Sequence, residues 1–285
     1  MKSTKNQIVK KSNSLITAKY NLTKEEQKII LSIIAMIDKD DEDFHQYRFY
    51  IKDFLDNIDV ASKGNYTYIK NIFKGLLEKP IEIKEKSGWI ICNWLSGAKI
   101  DYAGYVDVEI YSGLKPYLLK LKESFTKYSL ANVLSLRSNY SIRIYELLKQ
   151  FESTGVRQIS IDEFKEILKI PKSYQTRHLK PSILEPAKKE ISEKTDIEFT
   201  YSFQKQGRKF TSIRFYIRTK VVKLQDQDRN KNKNKKNVKE DETLRPPEEE
   251  AKRCYKENSI DGKCMFENSI FKPPYCKFCE LNQGK

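Results

Sequence analysis

The chain has 285 residues, 39% hydrophobic and 33% charged, with 54 lysines and arginines against 39 aspartates and glutamates, a formal net charge of +15. At ~150 residues per domain this suggests about two domains with real cores. No apolar run approaches the ~18–20 residues of a membrane span, and the basic, polar start from Met1 to Lys11 lacks the apolar core of a secretory signal, so a cytoplasmic protein is expected. The five cysteines are too few for a disulfide scaffold, and four of them fall in the last 32 residues, which points to a local site.

The charge is uneven. Residues 1–222 carry 39 basic and 27 acidic residues, whereas residues 223–285 carry 15 and 12. A basic excess on a folded body favours a polyanionic partner, most often nucleic acid; the alternative is a coding bias of an AT-rich genome that supplies many lysines.

Residues 1–21 read as a polar N-terminal arm. Thr23-Lys24-Glu25-Glu26 reads as a capping box opening a helix whose stripe is Ile29, Ile30, Ile33, Ile34 and Ile37. The carboxylates between Asp38 and Asp43 read as a solvated loop that ends it. A second short helix fits Ile51 to Ile58, and a third begins near Asn65, with Ile69, Ile72, Phe73, Leu76 and Leu77 on one face before Pro80. The period then becomes two. Ile81 and Ile83 alternate with polar residues, Lys86-Ser87-Gly88 is a turn, Trp89 to Leu95 is a strand, and Val106, Val108 and Ile110 alternate again. Three helices followed by hairpin strands is the order of a winged helix.

The order recurs. A long helix is predicted from about Ser129 to Phe151, a strand over Arg157 to Ile159, and a second capping box at Ser160-Ile161-Asp162-Glu163. That helix ends before Pro171. The next helix faces Ile183, Leu184, Ala187 and Ile191 inward. Pro181 is tolerable only in a first helical turn, so a late helix start is expected there. Ile197, Phe199, Tyr201 and Phe203 form one strand and Ile213, Phe215 and Ile217 the return strand, with a tip at Gln204 to Lys209. The fold class is therefore α+β: an arm at 1–21, winged helices at 22–122 and 123–222, a charged disordered linker at 223–250 and a Cys-rich module at 251–285.

A helix in the major groove must present polar and basic side chains at its N-terminal end. Lys172, Tyr174, Gln175, Arg177, His178 and Lys180 stand there, with Arg177 able to fork to guanine and Gln175 to pair with adenine; the alternative is a solvated turn. The tip residues Lys205, Arg208 and Lys209 surround Gly207 without an acid and suit phosphate or minor-groove contact. In the first unit Lys63, Lys70 and Lys74 hold the comparable, weaker position, near Asn65 and Tyr68.

Cys254, Cys264, Cys276 and Cys279 are the candidate ligands of one structural Zn2+, Cys276 and Cys279 having the spacing such sites use. Reduced cysteines and a redox pair are the alternatives. Cys92 reads as packing. His45 and His178 stand apart, and no glycine-rich loop leads into Lys-Ser or Lys-Thr, so neither a metal-dependent nicking centre nor a nucleotide site is expected.

The segment Arg137 to Lys149 (RSNYSIRIYELLK) resembles the helix opening the second domain of plasmid replication initiator (Rep) proteins of the iteron-binding type. Leu184-Glu185-Pro186-Ala187 with Glu190-Ile191 is similar to that family's second recognition helix, and Leu114 to Leu119 with Phe125 to Tyr128 to its inter-domain connection. The resemblance covers about residues 12–220. It implies tandem winged helices binding one origin repeat as a monomer, a homodimer that represses its own gene, recruitment of the host replication initiator and helicase machinery, and no enzymatic activity. It also implies DNA contacts from Tyr174 to Ser182 and from Lys205 to Lys209, with Pro181 and Ser182 standing where many members are basic. The expectation is a sequence-specific double-stranded DNA-binding initiator of plasmid replication; the alternatives are a winged-helix transcription regulator and a nicking or priming enzyme.

Overall fold

A computed structural model describes residues 7–52, 55 and 66–220, and the strand residues 259–260 and 263–264. Most of the predicted helix at Ile51 to Ile58, Lys63, the linker at 223–250, and Cys254, Cys276 and Cys279 lie outside the described residues. The chain divides into one compact unit spanning Lys2–Lys220 and a second that begins at Val221. In the second, Ser259–Ile260 pairs antiparallel with Lys263–Cys264.

The first unit carries two winged helices. In the first, helix α2 (Lys24–Ile34) starts at the predicted capping box. Glu26 N–H donates to Thr23 Oγ1 at 3.2 Å, and Thr23 N–H donates back to Glu26 Oε2 at 2.7 Å. Helix α3 (Tyr66–Glu78) packs against it. At Gly75 a Cβ would lie 2.4 Å from Glu26 Oε1, so a glycine lets the helices approach. Strands β2 (Tyr47–Tyr50), β6 (Tyr105–Ile110) and β5 (Leu95–Ile100) form a sheet in the order β2-β6-β5. Strands β3 (Ile81–Lys84) and β4 (Trp89–Cys92) form a separate hairpin, and a short helix α4 (Lys115–Leu118) follows the sheet.

The second winged helix repeats the plan. Helix α6 (Asn139–Lys149), strand β8 (Val156–Ser160) and helix α7 (Ile161–Ile167) lead to a long helix and to strands β9 (Ile197–Gln206) and β10 (Lys209–Thr219), ordered β8-β10-β9. Ser160 Oγ accepts Glu163 N–H at 3.1 Å, the Ser160 half of the second box. At the centre of this core the Phe215 ring lies 6.0 Å from that of Phe164 and 5.7 Å from that of Phe199.

Three expectations are corrected, and one strand is added. Residues 8–20 are not an arm. Strand β1 (Ile8–Ser12) pairs antiparallel with β7 (Phe125–Ser129), helix α1 (Asn13–Ile16) follows, and Val9, Leu15, Ile16, Ala18 and Tyr20 are buried. The interleaved lysines hid this, because one of them, Lys11, is itself wholly buried. The helix from Ser129 to Phe151 is three elements: β7, α5 (Leu130–Leu134) and α6, which Ser138 caps by accepting Tyr140 N–H at 3.2 Å. The strand from Trp89 to Leu95 breaks before Trp94, whose ring turns into the core. The added strand is β2, where Tyr47 and Phe49 face the core directly after an acidic loop, an alternation too short to predict a strand.

Lys11 explains how the pieces join. Its Nζ donates to Glu146 Oε1 at 2.8 Å, with both side chains fully buried. Arg143 is also buried and donates to Glu146 Oε2 at 3.1 Å, to the Tyr20 hydroxyl at 2.5 Å and to the Ala18 carbonyl at 2.8 Å. Tyr128 O–H donates to Glu146 Oε1 at 2.5 Å. Trp94 of the first winged helix sits edge-on to Tyr20, with ring centroids 5.1 Å apart, and lies 5.7 Å from Lys11 Nζ. One carboxylate on α6 thus gathers β1, the segment after α1, β7 and a tryptophan of the other domain. Burial opposes ionisation of Glu146, but Lys11 and Arg143 together outweigh it and hold its pKa below the ordinary value. Burial pulls the Lys11 ammonium down, against the pull of Glu146. Exposed pairs join the domains further out: Lys19–Glu166 at 2.5 Å and Lys169–Glu82 at 2.8 Å.

Two cations share one anion here, so the substitutions are asymmetric. Glu146→Gln leaves two buried cations uncompensated and is expected to cost about 3–5 kcal/mol. Lys11→Met leaves one cation with one anion and should cost less than half as much. A depressed carboxylate pKa contributes stability above the unfolded pKa that is lost as pH falls through the folded value, and Glu146→Gln should remove that acid-side slope. Urea unfolding of both variants across acid pH checks this; equal losses would contradict it.

Candidate nucleic-acid interface

The second winged helix presents its long helix as helix α8 (Thr176–Leu179), a π turn (Lys180–Leu184) and helix α9 (Glu185–Lys194), running on without a break. The helix does not start late. Pro181 lies inside it, and the π turn absorbs it. Proline has no N–H and its ring meets the carbonyl one turn back, so an α register fails at that point. Widening to a five-residue step restores the chain of bonds, and Glu185 N–H donates to the Lys180 carbonyl.

The wider turn also sets which residues face out. Leu179 and Ile191 are both fully buried. They stand twelve positions apart in the sequence, which in an unbroken α-helix would leave them about 120° apart around the axis. The extra residue removes about 100° of that, so both ends of the helix turn to the core. Arg177, Lys180, Pro181, Ser182 and Lys189 are left exposed on the other side. No acidic residue occurs between Pro171 and Leu184.

The N-terminal end divides the predicted residues. Lys172, Gln175, Arg177 and Lys180 are exposed. His178 is not a free reader: its Nδ1 accepts Gln175 N–H at 3.1 Å and so caps the helix, leaving the Gln175 side chain exposed. A neutral imidazole has one acceptor nitrogen. Arg177 Nε also points to His178 Nε2 at 3.3 Å, so the ring can accept from only one of these two donors at a time. Tyr174 is half-buried, its ring edge-on to His178 at 5.8 Å, and its carbonyl accepts Lys165 Nζ at 2.9 Å. Its ring packs at the helix start beside the His178 imidazole.

The wing is a two-residue hairpin. Gly207 has φ 61°, which the first central position of a type II′ turn requires. Lys205, Arg208 and Lys209 are all exposed, and no acid lies between Gln204 and Ser212. On the face toward the helix, Tyr201 O–H donates to Glu185 Oε1 at 2.6 Å, tying β9 to α9; burial, then this bond, raises the Tyr201 pKa.

The first winged helix offers less. Lys70 and Lys74 are exposed on α3, but Lys74 stands 3.8 Å from Glu78. The loop between β5 and β6 holds Asp101 and an almost fully exposed Tyr102, whose carbonyl accepts Tyr66 O–H at 2.7 Å. Among the described residues, no group of histidine, cysteine and carboxylate side chains has the arrangement of a metal site, and no helix is long and apolar enough to cross a membrane.

Two family profiles match. "Initiator Replication protein, WH1" covers residues 8–149 and "Initiator Rep protein, WH2" covers residues 160–217. A replication initiation protein of Escherichia coli is 27% identical over 222 residues, covering 74% of this chain and 69% of its own. An uncharacterized 27.6 kDa protein of Escherichia coli is 29% identical over 225 residues, covering 72% and 93%. A solved structure of the Pi initiator protein in complex with iteron DNA superposes with a TM-score of 0.63 at 20% identity, over 76% of this chain and 98% of that one, which shows a shared fold.

If His178 caps rather than reads, His178→Ala should cost about 0.5–2 kcal/mol of stability, as cap losses do. Its effect on affinity for duplex DNA should be smaller than that of Arg177→Ala. Thermal unfolding alongside binding titrations checks both; a loss of affinity with unchanged stability would return His178 to the reading face.

Proposed function

Because the chain belongs to the initiator replication protein family, we propose that it initiates plasmid replication by sequence-specific binding to repeated duplex sites in the plasmid's origin, one chain per repeat through both winged helices. The observation that carries this reading is the acid-free N-terminal half of the long helix, whose Arg177, Lys180, Pro181 and Ser182 are exposed, beside an acid-free basic wing. Arg177 reads a base edge in the major groove, with Gln175 beside it. Lys172, Lys180, Lys205, Arg208 and Lys209 neutralise phosphates, and Lys63, Lys70 and Lys74 extend the footprint from the first winged helix. The protein acts in the cytoplasm as a binding protein without catalysis. It hands the opened origin to the host's initiator and helicase machinery, and as a homodimer it represses its own gene. Two winged helices in one chain favour this over a transcription regulator, which commonly gains its second half-site by dimerising.

Supplied with the gene and its flanking DNA, a plasmid without an origin should replicate; a protein that binds the flank but never supports replication would be the regulator. On a repeat from that flank, Arg177→Ala should cost about 1–3 kcal/mol and relax preference at one base position. Changing Arg208 and Lys209 to alanine should weaken cognate and scrambled duplexes alike and reduce the slope of log affinity against log salt by about 0.9 for each phosphate left without its cation. Equal losses on both duplexes for Arg177→Ala would make it a phosphate clamp.

The same proposal extends to the C-terminal cysteines. Cys254, Cys264, Cys276 and Cys279 hold one structural zinc ion, since residues 251–285 are too short for an apolar core and the Cys276–Cys279 spacing suits the metal. Purified protein should carry about one zinc per chain, and Cys276→Ser with Cys279→Ser should release it without loss of DNA binding. Metal-free protein under reducing conditions would remove the site.

A further inference from the structure

The wing carries one side chain that its alternation does not explain. Phe210 is 44% exposed between basic residues at the tip. It stands three positions before Ile213, which faces the core, so an unbroken strand would put Phe210 on the opposite face. Strand β10 is bulged there: Phe210 pairs with Lys205 and Ser212 with Gln204, leaving Thr211 as the extra residue. A bulge reverses the alternation and re-aims the side chain before it. Phe210 therefore returns to the face of Phe203, their ring centroids 5.4 Å apart. That is the face on which Tyr201 bonds Glu185 of the long helix.

The ring is also firmly mounted. Phe210 meets Phe203, Phe203 meets Tyr201 at 5.9 Å, Tyr201 meets Phe199 at 6.4 Å, and Phe199 meets Phe215 at 5.7 Å. Phe199 and Phe215 are buried. An aromatic ladder thus runs from the core to the tip and ends in an exposed ring. Lys205 Nζ lies over that ring at 4.9 Å. An apolar ring set among cations on the helix side of a wing has the chemistry of a minor-groove wedge: the lysines approach phosphate, and the ring presses between base steps.

We propose that Phe210 is a wedge that partly unstacks one base step beside the groove read by the long helix, so that the wing adds deformation to charge. This rests on the duplex-binding reading and deepens it. The step it opens should be one that unstacks cheaply, pyrimidine followed by purine, which makes Phe210 a specificity-determining residue that reads no hydrogen-bonding edge.

The test uses the full chain and a duplex that the wild-type protein selects from a random-sequence library, with 2-aminopurine moved through successive positions. Wild-type protein should raise the fluorescence at one step on the wing side. Phe210→Ala should abolish most of that rise and weaken binding about tenfold, as removal of one base-stacking ring does. It should leave the salt slope unchanged, because every phosphate keeps its cation. Phe210→Leu, still an apolar wedge, should keep most of the rise. Lys205→Ala should do the reverse, lowering the salt slope and keeping the rise. A ring that only finishes the ladder would lower the melting temperature in Phe210→Ala and leave the fluorescence rise intact, which overturns the proposal. So would a wild-type complex in which no step brightens. Selection of no duplex at all would overturn the duplex-binding reading itself, and the wedge with it.

Discussion

The carboxylate of Glu146 holds the first unit together. It is buried on helix α6, where an isolated charge is prohibitively costly, and it is tolerable only because Lys11 and Arg143 reach it from two sides. Each partner brings chain with it. Lys11 fixes strand β1 against β7, and Arg143 fixes the backbone at Ala18 and the ring of Tyr20. Trp94 completes the enclosure from the first winged helix. The N-terminal segment is thus an internal strap between the domains, and the exposed pairs Lys19–Glu166 and Lys169–Glu82 add little beside it, as solvent-exposed ion pairs generally do. Held this way, the two winged helices belong to one compact unit.

A comparable local constraint shapes the long helix of the second winged helix. Two prolines five residues apart, Pro181 and Pro186, would break an α-helix, yet with a π turn between them they set its rotation. That rotation keeps Leu179, Ile183, Leu184, Ala187 and Ile191 in the core and leaves Arg177, Lys180 and Ser182 outside. π turns tend to occur at functional sites because they re-aim side chains without ending a helix, and the bulge at Thr211 does the equivalent for Phe210 in the wing.

What could be read in the sequence was whatever rests on local periodicity and capping. The Thr23–Glu26 box, the Ile81/Ile83 alternation, the β9–β10 hairpin and the inward face of α9 all follow from neighbours within a few residues, and the doubled winged-helix order follows from them. The basic residues at Lys172 to Lys180 and Lys205 to Lys209 were legible for the same reason, as acid-free stretches. What was hidden depends on partners far along the chain. Lys11 looks like arm composition until Glu146, 135 residues away, pairs with it. The breaks at Trp94 and after Ser129 occur where tertiary burial overrides a continuous apolar pattern. His178 looked like a reader because a side chain that caps by reaching back to the backbone N–H three residues earlier leaves no mark of its own beside basic residues. Pro181 pointed to a late start because proline rules describe α-helices, and the chain used another register.

On the proposed function, the helix through Thr176 to Lys194 lies in the major groove of a specific duplex. The most direct measurement is site-directed photocrosslinking with a benzophenone side chain in place of Ser182, an exposed neutral residue at the middle of the outward stripe. On the selected duplex, crosslinks are expected to bases at one or two adjacent positions, with none on a scrambled duplex. Crosslinks spread evenly along both duplexes, or none from this position while the complex still forms, would contradict it.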